Sequence, residues 1–167
     1  MSDYSRRVGK LSAHLTWIIG LGLLTLVFNA YLEEKYNPNA HLITAQTGTE
    51  VRLQSDGRGH YQAPGWINGV PVHFLVDTGA TYVSLSDELA AKLSLVPEGS
   101  AWVDTANGRV QAQRARLQSV RLGGIEMRNV GAMITPGISG QAVLLGMSFL
   151  QELQLTQHNG ELTLRVP

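Results

Sequence analysis

The chain has 167 residues, a formal net charge of zero and no cysteine. This length accommodates one domain with extensions, and the balanced charge argues against nucleic acid as the main partner. Without cysteine, the chain cannot form disulfides, thiolate nucleophiles or cysteine-based metal sites. The five histidines are scattered with no HxH or HxxxH spacing, so we expect neither a metal site nor a cofactor.

An uncharged apolar stretch, residues 15–32, follows the polar, mainly basic segment of residues 1–14. As a helix it would span about 27 Å, close to the hydrocarbon thickness of a bilayer. We therefore predict a transmembrane anchor over residues 15–33, with residues 1–14 in the cytoplasm because the basic residues precede the span. Two alternatives remain: a cleaved signal peptide, although no Ala-x-Ala site follows, and a buried helix of a soluble core.

Residues 34–48 show no sustained period and contain Pro38, which predicts a tether. From about Thr49 the pattern changes to short strands separated by glycine-bearing turns, so we assign residues 49–167 to one folded domain. Its first two strands, residues 50–54 and 60–63, are predicted to form an antiparallel pair joined by a turn.

The remaining pattern predicts a nearly all-β domain. Hairpins are expected at four turns, namely 68–69, 106–108, 123–124 and 159–160. Separate short strands are expected over residues 109–114, 117–122, 125–130 and 130–135. Two short helices are expected over residues 86–93, capped by Ser84, and over residues 147–153. With many hairpins and no βαβ unit, we expect a compact barrel or sandwich.

The most informative stretch is the apolar run of residues 74–76, which leads into Asp77, Thr78 and Gly79. It predicts a buried strand that ends in a carboxylate and a turn. A carboxylate in this place is costly to bury unless it is hydrogen-bonded or takes part in chemistry. Asp77 is thus either a catalytic group or a structural aspartate that caps a turn.

Three segments sharpen this choice: Asp-Thr-Gly-Ala at 77–80, Ala-Asn-Gly at 106–108 and Leu-Leu-Gly-Met-Ser-Phe-Leu at 144–150. Together they resemble the retropepsin family of aspartic proteases, in its bacterial, membrane-anchored branch, over residues 49–167. The resemblance implies an all-β, small closed barrel with a flap hairpin and one or two short helices. It also implies an inner-membrane protein with a single span and a periplasmic protease domain.

The resemblance implies hydrolysis of peptide bonds by two carboxylates that share one proton and activate water. Because the chain has one Asp-Thr-Gly, the second carboxylate is expected from Asp77 of another chain, in a homodimer formed through the catalytic loops. Anchoring both chains to one membrane would raise their effective concentration. The alternative is a non-catalytic peptide-binding or scaffold module with the same fold.

The resemblance gives roles to further residues. Those expected to support Asp77 in the catalytic loop are Thr78, Gly79 and Ala80. Those expected to contact substrate, the last three as the flap tip, are Thr81, Ala106, Asn107 and Gly108. Those expected to pack behind the loop are Leu144, Leu145 and Gly146. The tip also fits an ordinary surface hairpin, and residues 144–146 fit a plain core strand.

Three further expectations concern substrate and assembly. Candidates for apolar pocket lining are Val83, Val103, Ile134 and Ile138. Viral relatives usually carry an acidic residue where this chain has Thr81, so their substrate contacts do not transfer to it. The C-terminal hairpin looks self-contained, which disfavours an interwoven terminal sheet, and residues 41–44 are a candidate exposed site for self-processing.

Overall fold

The structure is a computed structural model that describes residues 2–42, 48–105, 108–138 and 140–167. Within the first helix it describes the side chains of residues 14–32, 35 and 36. The chain divides into two compact units, Met1–Tyr36 and Asn37–Pro167.

The first unit contains helix α1, Ser2–Tyr36. Its segment His14–Leu32 has 19 residues and a mean hydropathy of 1.8, and none of it is buried. Trp17, for example, is 79% exposed. At 1.5 Å per residue this segment is about 28 Å long, enough to cross a bilayer, although a signal sequence has the same properties.

Within its described residues, the second unit contains ten strands and two short helices. The strands are β1 Glu50–Gln54, β2 Gln62–Ile67, β3 Val70–Val76, β4 Val83–Leu85, β5 Gly99–Thr105, β6 Gly108–Leu122, β7 Ile125–Ile134, β8 Ala142–Leu145, β9 Gln154–His158 and β10 Glu161–Arg165. The helices are α2 Asp87–Lys92 and α3 Met147–Leu150.

Six of the strands form a closed barrel. They follow one another in the order β2-β3-β8-β4-β7-β6, and the pairing of β2 with β6 closes the ring. The pairs β3–β8 and β4–β7 are parallel, whereas the others are antiparallel. Apolar side chains such as Phe74, Leu117 and Leu145 fill the interior and are almost completely buried. The predicted small closed all-β barrel with short helices is confirmed.

Strand β5 pairs with β6 outside the ring, so that β5 and the first half of β6 form a hairpin that projects from the barrel. Its arms run from the pair Gly99–Arg114 to the pair Thr105–Gly108. The predicted hairpin is therefore present, but the tip residues Ala106 and Asn107 lie outside the described residues.

The two Asn-Gly hairpins have the predicted geometry. Asn68 and Gly69 have φ of 51° and 80°, and Asn159 and Gly160 have φ of 47° and 78°. Positive φ at both central residues is typical of the type I′ turn, whose twist matches that of paired strands. Gly123 also has positive φ, and the strands around it pair as expected.

The predicted pairing of the first two strands is wrong. The chain does turn between them, since Asp56 N–H donates to the His60 carbonyl at 2.8 Å. Strand β1 then pairs with β10 in a separate three-stranded sheet, β1-β10-β9, whereas β2 enters the barrel. The C-terminal hairpin thus holds β1 as a third strand.

Residues 37–42 are not the predicted tether, because they belong to the second unit and pack against its strands. The buried Asn39 side chain donates from Nδ2 to the carbonyls of Gln54 and Gln62 at 2.7 and 2.8 Å, and its Oδ1 accepts from Gln54 N–H at 2.8 Å. Leu42 is 2% exposed and belongs to the core. The domain thus begins near Asn37, not at Thr49, and Leu42 is not an exposed cleavage site.

Two local predictions also need correction. Ser86, and not Ser84, caps helix α2: its Oγ accepts from Leu89 N–H at 3.1 Å. Ser84 lies in β4. In addition, β6 and β7 are each one continuous strand, although the sequence pattern predicted two shorter strands in each case.

Asp56 organises the turn between β1 and β2. Its Oδ1 accepts from the N–H groups of Arg58 and His60 at 2.8 and 2.9 Å, and Oδ2 accepts from Gln62 Nε2 at 3.0 Å. Burial alone would raise the pKa of the Asp56 carboxyl, but these hydrogen bonds outweigh it and hold the pKa below its ordinary value.

The stability that Asp56 supplies is expected to be lost in acid. Because its folded pKa lies below the unfolded value, the ionised form stabilises the fold above about pH 4, and this contribution disappears as the pH falls through the folded pKa. Urea unfolding, monitored by tryptophan fluorescence at steps of about one pH unit between pH 2 and pH 6, measures this loss of stability. Asp56→Asn should flatten this pH dependence, and the exposed Glu152→Gln should leave it as in wild type. Equal slopes for wild type and Asp56→Asn would contradict the assignment.

Candidate active site

The Asp77 loop begins where β3 ends, at one mouth of the barrel. Asp77 N–H donates to the Leu145 carbonyl of β8 at 3.2 Å, which continues the β3–β8 pairing by one residue. Its Oδ1 accepts from Gly79 N–H at 2.9 Å, and its carbonyl accepts from Ala80 N–H at 3.2 Å. These bonds hold the half-buried carboxylate at the end of a core strand with its other oxygen, Oδ2, available for chemistry.

The segment that follows β8 supports the loop from behind. Met147 N–H donates to the Ala80 carbonyl at 2.8 Å, and Ser148 N–H donates to the Thr81 carbonyl at 2.9 Å. The Ser148 hydroxyl donates to the Gly131 carbonyl at 2.7 Å and accepts from Val83 N–H at 3.0 Å. Helix α3 thus holds the second half of the loop, residues 80–83, against the barrel.

Gly146 lies where the segment after β8 approaches the Asp77 loop most closely. A Cβ atom on Gly146 would lie 2.4 Å from the Tyr82 carbonyl oxygen and 2.6 Å from that of Ala80. Only glycine allows β8 to approach the Asp77 loop this closely. Leu145 is fully buried beside it. Gly146 thus lies directly against the loop, and the packing role of residues 145 and 146 stays a prediction.

A cleft of about 990 Å³ separates the Asp77 loop from the β5–β6 hairpin. Its floor contains residues from the loop, from β4, β7 and β8, and from the segment after β7. Its roof contains β5 and the start of β6. We call the β5–β6 hairpin the flap hairpin, because it covers the cleft that Asp77 lines.

The structure brings only some of the predicted site residues to this cleft. Those that line it are Asp77, Gly79, Ala80, Thr81, Leu144, Val103 and Ile138. Thr78 is exposed next to the cleft, and Gly108, with φ of 108°, is exposed at the start of β6. The roles of Ala106 and Asn107 stay predictions, since these residues are not described.

Two of the predicted pocket residues lie elsewhere. Val83 and Ile134 are 0% and 3% exposed and face the barrel interior. Their strand neighbours Ser84 and Met133, which point to the opposite side, line the cleft instead. In the last part of β7 both faces carry apolar residues, so the sequence did not indicate which face looks inward. In β4 the polar Ser84 between Val83 and Leu85 did indicate the inward face.

Several cleft residues were missed by the sequence interpretation. Those not anticipated include Trp102, Asp104, Arg114, Met133, Thr135 and Pro136. Trp102 and Asp104 alternate with Val103 along a flap arm that the sequence already predicted. This alternation places them on the face of β5 opposite to Val103, so it gave no signal that they line the cleft. Met133 and Arg114 needed the barrel pairing to be known.

The structure combines a closed six-stranded barrel, an aspartate loop at the end of one barrel strand, and a hairpin over the resulting cleft. This combination defines a retropepsin-like aspartic protease. Residues 63–152 match the family described as "gag-polyprotein putative aspartyl protease". This match covers more than half of the chain, and the chain belongs to that family.

The similar proteins agree with this assignment. The crystal structure of a retropepsin-like aspartic protease from Rickettsia conorii is 29% identical and superposes with a TM-score of 0.56, covering 70% of this chain and 90% of that one. An uncharacterised protein from the cobV 5' region of Sinorhizobium sp is 40% identical over 131 residues, and one from Rickettsia prowazekii is 32% identical over 108 residues.

The chain spans about half the length of these two curated relatives. The match covers 75% of this chain and 56% of the Sinorhizobium protein, and 63% of this chain and 46% of the Rickettsia prowazekii protein.

Proposed function

We propose that this protein is an aspartic endopeptidase that acts as a homodimer, with Asp77 of each chain supplying one carboxylate. The observation that carries the proposal is the position of Asp77: its carboxylate is fixed through Oδ1 at the floor of a cleft of about 990 Å³. Retropepsin-like proteases commonly act as dimers on peptide substrates, and the single Asp-Thr-Gly in these 167 residues supports the same arrangement here.

In the proposed mechanism, the two Asp77 carboxyls share one proton because two adjacent negative charges repel each other. The ionised carboxylate takes a proton from water, the water oxygen attacks the peptide carbonyl, and the protonated carboxyl donates to the carbonyl oxygen. The resulting tetrahedral intermediate breaks its C–N bond as the amine leaves with a proton.

Other residues are proposed to assist this reaction. The exposed Thr78 hydroxyl would bind the partner's loop across the twofold axis. The flap hairpin, with Gly108 and the predicted tip residues Ala106 and Asn107, would close over an extended peptide and exclude water. Thr81, next to the loop, would contact the peptide.

We also propose that residues 15–33 anchor the protein in the bacterial inner membrane, with residues 1–14 in the cytoplasm and the protease domain in the periplasm. The exposed apolar helix His14–Leu32 supports this location. Two chains held in one membrane meet more often than two free chains, which favours a dimer that is weak in solution.

Peptide cleavage by the full-length chain in detergent tests the proposal. Products of defined extended peptides are identified by mass spectrometry, for wild type and for Asp77→Asn. We expect new termini produced by hydrolysis with the wild type alone. Peptides that are bound but left intact by both proteins would favour the peptide-binding module instead.

A further inference from the structure

Four strands place one side chain each in a row across the cleft floor. Ser84 of β4 pairs with Leu144 of β8 and with Met133 of β7, and Met133 pairs with Arg114 of β6. All four side chains line the cleft. The row begins beside the Asp77 loop, since Asp77 N–H binds the carbonyl of the residue after Leu144, and it ends at Arg114.

Arg114 occupies the point where β6 passes from the flap hairpin into the barrel. Its backbone pairs with Gly99 of β5 on one side and with Met133 of β7 on the other. Its exposed guanidinium therefore lies at the base of the flap hairpin, at the end of the cleft away from Asp77.

Within the described residues, Arg114 has no ion-pair partner. Glu98 is the acidic residue among those that line the adjoining hollow, and its N–H donates to the Arg114 carbonyl at 2.8 Å. Its carboxylate is paired with another residue, since Oε1 lies 3.7 Å from Arg116 Nε. Asp104 also lines the cleft. Its backbone pairs with that of Arg109 near the other end of the flap hairpin, and Arg109 lies five residues along β6 from Arg114. Five residues of a strand span about 17 Å, so Asp104 does not neutralise Arg114.

We propose that Arg114 selects substrates with an acidic side chain, and that it binds this carboxylate directly. Among the described cleft residues it is the sole cation, and a guanidinium is suited to carboxylates because its paired N–H donors match the two oxygens. The inference rests on the proposed peptidase function and adds a substrate class to it: peptides that are apolar at the cleaved bond and acidic farther out.

The distance between neighbouring strands indicates which substrate residue contacts Arg114. Three strand intervals separate Leu144 from Arg114, or about 14 Å at the usual distance between strands. A peptide that lies extended across the row advances about 3.3 Å per residue, so Arg114 meets the side chain about four residues from the cleaved bond. Because the twofold axis supplies one Arg114 from each chain, an acidic residue is favoured on either side of the bond.

Peptide pairs that differ only by Glu or Gln at one position test the inference. The substitution is scanned outward from the cleaved bond, and kcat/KM is measured with the full-length chain in detergent. We expect the wild type to prefer Glu by about tenfold at the position that faces Arg114. Arg114→Gln should reduce this ratio to unity, and Arg114→Lys should retain part of the preference.

Arg128→Gln is the matched control, because it removes the same charge from the neighbouring strand β7, where Arg128 faces Glu126 at 3.4 Å and does not line the cleft. It should keep the wild-type ratio. Ratios within roughly twofold of unity at every position, or a Glu preference that survives Arg114→Gln, would overturn the inference.

A binding measurement separates this inference from the peptidase proposal. Fluorescence anisotropy with Asp77→Asn and the same labelled peptides reports affinity in the absence of hydrolysis. A Glu preference that depends on Arg114 in this assay supports the inference even if no peptide is cleaved. Cleavage that depends on Asp77 without any Glu preference supports the peptidase and refutes the role of Arg114.

Discussion

Asp77→Asn is expected to lower kcat/KM for peptide hydrolysis by about 10⁴-fold or more, the largest effect of any substitution considered. An amide in place of the carboxylate can neither take a proton from water nor share one with its partner. The substitution preserves shape, since the side-chain oxygen of Asn can still accept from Gly79 N–H as Oδ1 of Asp77 does at 2.9 Å.

The stability of Asp77→Asn is therefore expected to stay close to that of wild type, as measured by thermal unfolding. Asp87→Asn is a suitable control, because Asp87 is exposed at the start of α2 and lies away from the cleft. It should retain wild-type activity. If Asp77→Asn cleaved peptides at the wild-type rate, Asp77 would be a structural aspartate, and the site would have to be sought elsewhere.

Gly146→Ala is expected to destabilise the domain by about 2–3 kcal/mol and to lower kcat/KM by at least about 10²-fold. Its φ of −90° is open to any residue, so the effect arises from space alone. The added methyl group would overlap the carbonyl oxygens of Tyr82 and Ala80. Because both are backbone atoms, relief requires the Asp77 loop to move.

Gly131→Ala provides a matched comparison. A Cβ atom there would meet the Tyr82 ring at 3.4 Å, an ordinary van der Waals contact with a side chain. Urea unfolding should give a loss below about 1 kcal/mol for Gly131→Ala. Equal losses for both variants would show that the Asp77 loop adapts to Gly146→Ala and that its position is not set by β8.

The sequence predicted the local elements of this fold well. Hairpins at 68–69, 123–124 and 159–160 were recognisable because Asn-Gly and Gly-Gly adopt the positive φ that tight turns demand. Asp77 was recognisable because a carboxylate at the end of an apolar strand contradicts the pattern around it, and the later Leu-Leu-Gly segment strengthened the interpretation.

The pairing of distant strands could not be predicted in the same way. The barrel closes through β2 and β6, and the site depends on β3 meeting β8 and on β4 meeting β7. Apolar patterns identify a strand but not its partner, because many pairings bury similar area. For this reason β1 was assigned to β2, and Val83 and Ile134 were assigned to the cleft although they face the core.

Polar residues that join distant segments were missed for a related reason. Asn39 bridges β1 and β2 through its side chain, and Ser148 joins α3 to β4 and β7. Neither residue stands out locally, because Asn beside Pro38 is typical of a loop and Ser at a helix start is common. Their roles follow only from the elements that the fold brings around them.

Activity in mixtures of wild-type and Asp77→Asn chains tests most directly whether the active site is shared between two chains. Full-length proteins are mixed in detergent at constant total concentration, allowed to exchange partners, and assayed for peptide cleavage. If each site needs one Asp77 from each chain, activity follows the square of the wild-type fraction, and an equimolar mixture retains about one quarter. Activity that falls in direct proportion to the wild-type fraction would contradict a shared site.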